Sequence, residues 1–79
     1  MRTIDFVDLA QLGGGSTTIT VGYADDTRLA LDPPLYEGEA IRFVEAHNLH
    51  VVGTVHLIRE QGHGYWQADV DRATITAVE

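Results

Sequence analysis

Apolar and polar residues alternate along most of this chain, and one stretch breaks the alternation. "TIDFV" sets Ile4 and Phe6 on one face against Thr3, Asp5 and Val7 on the other, the period of a strand. After Asp8 and "LAQL", the run "GGGS" from Gly13 to Ser16 reads as a flexible turn that ends any regular element. "TTITVGY" alternates more cleanly, with Ile19, Val21 and Tyr23 inward and Thr18, Thr20 and Gly22 outward. "TRLALD" places Leu29 and Leu31 together, opposite Arg28 and Ala30, and predicts a third strand. A two-residue turn at Asp25 and Asp26 would put the two apolar sets on opposite faces. A longer loop restores one buried face and predicts an Asp near left-handed geometry.

The break comes at "DPPLYEGEAIRFVEAHN". Tyr36, Ala40, Phe43, Val44 and His47 recur at helical spacing, with Ile41 flanking. Asp32 and the prolines suit a helix start, Glu37 and Glu39 would lie near the positive end of its dipole, and Asn48 suits its stop. Gly38 costs about 1 kcal/mol in a helix interior, so the start moves toward Glu39. This is the only helix the pattern predicts.

"HVVGTVHLIRE" is a strand of β-branched residues, "QGHG" turns it, and "YWQADV" returns. "ATITAV" is either a last strand or a continuation past Asp71 and Arg72. The predicted class is α+β: a mostly antiparallel, curled sheet of five or six strands with one α-helix, in the order β-β-β-α-β-β. An even-membered turn centred on Gly62 and His63 pairs Leu57 with Ala68, Val55 with Val70 and Arg59 with Trp66. That register gives an apolar face containing Trp66 and an opposite face where His56 lies across from Asp69. Such a pair contributes roughly 0.2–1 kcal/mol. Tyr65 points outward, and Tyr36, Tyr65 and Ile58 are candidates for an exposed apolar patch rimmed by Glu60, Gln67 and Asp69.

With 79 residues there is room for one domain over 1–79, and a chain this short buries only about 60–65% of its unfolded surface. Composition changes the picture through charge. Twelve acidic residues face five arginines and no lysine, a formal net charge of −7. Direct nucleic-acid binding and anionic membranes both demand cationic surface, so neither is expected as a partner. No apolar run approaches the roughly 18 residues of a membrane span, and "MRTIDFVDLA" shows no cleavable signal pattern, which predicts a cytoplasmic protein. The absence of Cys excludes disulfide and thiolate chemistry. The lysine-free, Ala/Gly/Arg/Asp/Val-rich composition suggests a GC-rich bacterial or phage genome.

All four histidines lie between Ala46 and Gly64. His50 and His56 share a strand face but stand six residues apart, roughly 20 Å along a strand, too far to hold one ion. His63 belongs to the hairpin tip and His47 to the helix end, so no metal site is expected. Ser16, the one serine, sits in a glycine turn far from any histidine in sequence, and "GGGS" lacks the Lys of a phosphate loop. The paired carboxylates Asp25/Asp26 and Glu37/Glu39 fit no calcium-loop pattern. His56 with Asp69 is the best catalytic-looking dyad, on a strand surface rather than in a cleft. No catalytic residue, metal or cofactor is assigned, and an enzyme is not expected.

In length, acidity, missing lysine and missing catalytic constellation, the chain resembles the small acidic phage-encoded inhibitors of the anti-CRISPR kind. The residues that carry this general profile are Asp25, Asp26, Glu37, Glu39, Asp69 and Asp71, and the resemblance includes no motif. It implies a non-enzymatic module that docks on a nucleic-acid-handling complex and blocks it, with carboxylates acting as phosphate mimics against a basic protein surface. Tyr65 joins these residues as a candidate contact. The alternative is a small homo-oligomeric structural or regulatory domain, such as a homodimer, paired through a sheet edge at "ATITAV", and a third, lower-ranked reading is an enzyme or metal protein using His56 and Asp69.

Overall fold

Five segments rich in β-branched and aromatic residues pair into one open sheet: β1 (Arg2–Ile4), β2 (Thr18–Tyr23), β3 (Ala40–Glu45), β4 (Leu49–Glu60) and β5 (His63–Ala77). The computed structural model describes residues 1–45 and 49–77, so the predicted helix end at His47 and Asn48 lies outside the described residues. The spatial order is β1-β3-β4-β5-β2. β1 runs parallel to β3, and every other pairing is antiparallel. Two short 3-10 helices, Leu9–Gly15 and Thr27–Leu29, complete the regular structure among the described residues. The α+β class and the mostly antiparallel five-stranded sheet agree with the sequence pattern. The strand order and the helix do not.

The segment predicted as a helix is β3. Its pattern is ambiguous, because Ala40, Phe43 and Val44 fit a helical stripe while Ile41 and Phe43 also fit a two-residue period. Pairing decides between them: Ile41 stands between Arg2 and Gly53, and Phe43 between Ile4 and Val51. Both become fully buried, a gain no isolated helix on this chain would offer. No α-helix occurs among the described residues.

"TRLALD" is likewise no strand. Asp26 accepts a hydrogen bond from the Arg28 backbone amide (2.9 Å) and starts the 3-10 turn Thr27–Leu29. The predicted left-handed Asp is absent, since Gln61 alone among described non-glycine residues has positive φ. β2 pairs with β5 instead of a neighbouring third strand.

β4 and β5 turn through Gln61 (φ 49°) and Gly62 (φ 82°), the left-handed pair of a tight two-residue hairpin. Val55 therefore faces Ala68, and Leu57 faces Trp66. The register differs from expectation by two residues. Because two is the period of a strand, every side chain keeps its predicted face. The "ATITAV" segment continues β5 as far as Ala77, after an irregularity between His50 and Val52 in the partner ladder.

One face of the sheet carries the core: Ile4, Ile19, Val21, Ile41, Phe43, Val51, Val55, Trp66, Ala68 and Val70. The two 3-10 helices and the loops beside them cover it, contributing Val7, Leu9, Leu12, Leu29 and Leu35 to the same cluster. Arg72 fastens this cover, with Nη1 donating to the carbonyls of Leu12 (2.9 Å) and Ser16. The other face has no buried residue along Thr3, Thr18, Thr20, Ala40, Arg42, His50, Val52, Thr54, His56, Ile58, Tyr65, Gln67, Asp69 and Asp71. It is open.

Candidate functional site on the open sheet face

Gly38 (φ 84°) bends the chain just ahead of β3. Its amide donates to the Val55 carbonyl (2.8 Å), and the Val55 amide donates to the Glu39 carbonyl (2.9 Å). This irregular extension of the ladder lays Glu37 along β4. Glu37 Oε1 accepts the Leu57 amide (3.0 Å), and Oε2 meets His56 Nδ1 at 2.5 Å. On the far side of the ring, His56 Nε2 lies 3.2 Å from Asp69 Oδ2. His56 is thus held between two carboxylates.

Asp69 stands opposite Thr54 rather than His56, which faces Gln67. The sequence expectation of a direct pair is corrected to a diagonal one, within reach because these side chains are long enough to span it. Glu37 was expected near a helix N-terminus and instead completes this triad. The hydrogen bond to His56 is the main cause holding its carboxyl below the usual range, reinforced by the Leu57 amide.

The arrangement carries charge and protons but has no nucleophile. Ser16, the expected unlikely nucleophile, spends its hydroxyl on the Thr18 carbonyl at 3.2 Å. The two carboxylates bind opposite nitrogens of one ring, so they diverge instead of converging on an ion. No group of three or more His, Asp or Glu residues able to hold a metal occurs among the described residues.

The open face gathers Glu37, Tyr65, Asp69 and Asp71 from the expected contact set, together with Glu60. Asp71 Oδ1 accepts the Ala73 amide (3.0 Å) at the irregular turn in β5 and stays exposed. Asp25 lies beside the hairpin tip, near Tyr23 and His63. Two members are spent inside the molecule. Asp26 grips the Arg28 guanidinium (2.7 and 3.2 Å), which lowers its own pKa and raises that of Arg28. Glu39, expected on the surface, is only 6% exposed and pairs with Arg2 Nε at 3.0 Å. Its position two residues before Ile41 puts it on the core side of β3, where the β1 arginine reaches it.

The apolar patch is also rearranged. Ile58 faces Tyr65 across the ladder, and Tyr65 faces Tyr23 on its other side. Tyr23 was expected inside, but a register shift between Thr20 and Gly22 turns it outward, where it is 64% exposed. Tyr36 is exposed as well, and nothing places it beside Tyr65. Thr20, Gly22, Tyr23, Glu60 and Tyr65 line a shallow depression of about 340 Å³. The sequence signal for this site was present only as Gly22, a glycine inside a strand, which often marks a bulge.

Comparison with protein-family models, curated proteins and solved structures finds no match to this chain. Among the described residues, no helix is long and apolar enough to cross a membrane.

Proposed function

We propose that this chain is a non-enzymatic acidic binding module that docks through its open sheet face on a basic protein surface. The partner class that fits best is a nucleic-acid-handling complex, whose phosphate-binding groove the carboxylates would occupy, in the manner of an anti-CRISPR-like inhibitor. The observation that carries the reading is the uncovered face itself. It holds Ile58, Tyr65 and Val52 among Glu37, Glu60, Asp69 and Asp71, with Arg42 as its arginine. Apolar anchors ringed mostly by carboxylates are what a charge-complementary interface with a basic partner requires.

Titration with a defined arginine-rich probe protein tests it. Binding is expected to weaken steeply from low to high salt, and the double variant Asp69→Lys/Asp71→Lys is expected to lose it. Affinity indifferent to salt, or intact in that variant, would overturn the proposal.

A second reading rests on the edge of β5. β2 pairs with β5 only as far as Asp69, which leaves one side of the strand beyond it without a β2 partner. Such an edge can pair with a second copy of the chain across a two-fold. Light scattering across a concentration series separates the two readings: a dimer supports edge pairing, and a monomer at the highest concentration removes it.

A further inference from the structure

We infer that the depression between Tyr23, Tyr65 and Glu60 is a receptor for a single arginine side chain of the partner. This rests on the binding reading above and names the chemistry of one subsite within it.

The chain itself displays what an aromatic ring beside a carboxylate receives. Arg28 lies over the Phe6 ring with its Cζ 4.8 Å from the centroid, while Asp26 holds the guanidinium through two oxygens. Ring quadrupole and carboxylate act together on one planar cation. The open face repeats these groups without a guanidinium between them. Tyr23 and Tyr65 stand directly opposite each other on neighbouring strands, and Glu60 lines the same depression. The ion pairs among the described residues involve Arg2, Arg28 and His56, and leave Glu60 out.

Geometry keeps the chain's own arginines from filling the place: Arg72 is held by the Leu12 and Ser16 carbonyls, and Arg42 stands opposite Val52, at the other end of β4 from Glu60. Arg59 adjoins Glu60 but belongs to the opposite face of β4, across from Gly64. Arg28 is engaged by Asp26, and Arg2 by Glu39. His63 faces Glu60 in the ladder and lines an adjoining hollow with Tyr23, Glu60 and Tyr65, so it borders the depression but is not among the residues that line it. A volume of about 340 Å³ holds a side chain and not a peptide. Thr20 and Gly22, both small and uncharged, also line it.

Arginine fits better than lysine. Its flat guanidinium stacks on tyrosine and offers paired donors to Glu60, whereas an ammonium is a compact, strongly hydrated point charge. The net charge of −7 brings such a cation toward the surface, and the rings then choose where it stays.

The test is an amide NMR titration of the intact chain with a short peptide carrying one arginine, beside the same peptide with lysine or with neutral citrulline. Shifts are expected to concentrate at Gly22, Tyr23, Glu60 and Tyr65, with arginine bound more tightly than lysine and citrulline not bound. Removing either ring, in Tyr23→Ala or Tyr65→Ala, should weaken arginine binding about 2- to 5-fold, the range for an exposed cation–π contact. Glu60→Gln should weaken it too, with the remaining spectrum unchanged as evidence of an intact fold. Equal binding of arginine and lysine, or shifts centred on Glu37 and Asp69, would overturn the inference. If the arginine-rich probe still binds in a salt-dependent way while the ring variants change nothing, the subsite falls and the binding module stands. If the probe does not bind at all, the broader reading fails first.

Discussion

The two ring nitrogens of His56 tie it to Glu37 and Asp69 together. Glu37 is the member whose titration shows this most directly. Its carboxyl is held below the ordinary glutamate value of 4.5. A depressed acid contributes stability above its ordinary pKa and loses it as pH falls through the depressed value. The melting-temperature gap between the native chain and Glu37→Gln should therefore be open near neutral pH and close as pH falls through the depressed Glu37 value. A gap of constant size across that range would mean that Glu37 has no such role. NMR of the Glu37 carboxyl in His56→Gln gives a second check, with its titration expected to move back up. His56 and Asp69 share a face by strand parity alone and were legible as neighbours. Glu37 was not, because it arrives from 19 positions away through a bend at Gly38.

Hairpin and sheet elements give predictions of opposite sign. Gln61 occupies the first left-handed position of the β4–β5 turn, where asparagine is better tolerated. Gln61→Asn should stabilise the chain by up to about 1 kcal/mol in urea unfolding, with the slope of the transition unchanged. Gly53 behaves in the reverse way. A Cβ there would come within 3.1 Å of the Asp69 carbonyl oxygen and Val70 Cγ1, and within 3.2 Å of Phe43 Cε2. Gly53→Ala should cost about 1–3 kcal/mol, since neither a central ladder nor a fully buried ring yields easily. An alanine variant as stable as the parent would show that the strand shifts freely. β4 and β5 were legible as elements because their alternation is long and a glycine turn joins them. β3 was not, since six residues of apolar pattern fit both helix and strand, and the choice depended on β1 and β4.

The whole molecule is a sheet with one dry face and one wet one. Its dry face is roofed by chain that is mostly neither helix nor strand. Such a roof has few internal hydrogen bonds, so its hold depends on what it packs against. Phe43 is the largest fully buried side chain. Phe43→Ala should remove about 3–5 kcal/mol, which is enough to leave a domain of this size largely unfolded, as circular dichroism would report. Retained cooperative melting at the native temperature would show that the core lies elsewhere. By itself the sequence determined the sides of the central hairpin, the burial of Trp66 and the acidic balance, because side-chain parity and charge are local properties that survive a two-residue slip. Only the tertiary structure decided that residues 40–45 extend, that Tyr23 faces water, that Glu39 is buried and that Glu37 reaches His56. Each of those outcomes depends on a partner distant in the chain, whose pairing energy exceeds the small local preferences that a sequence pattern records.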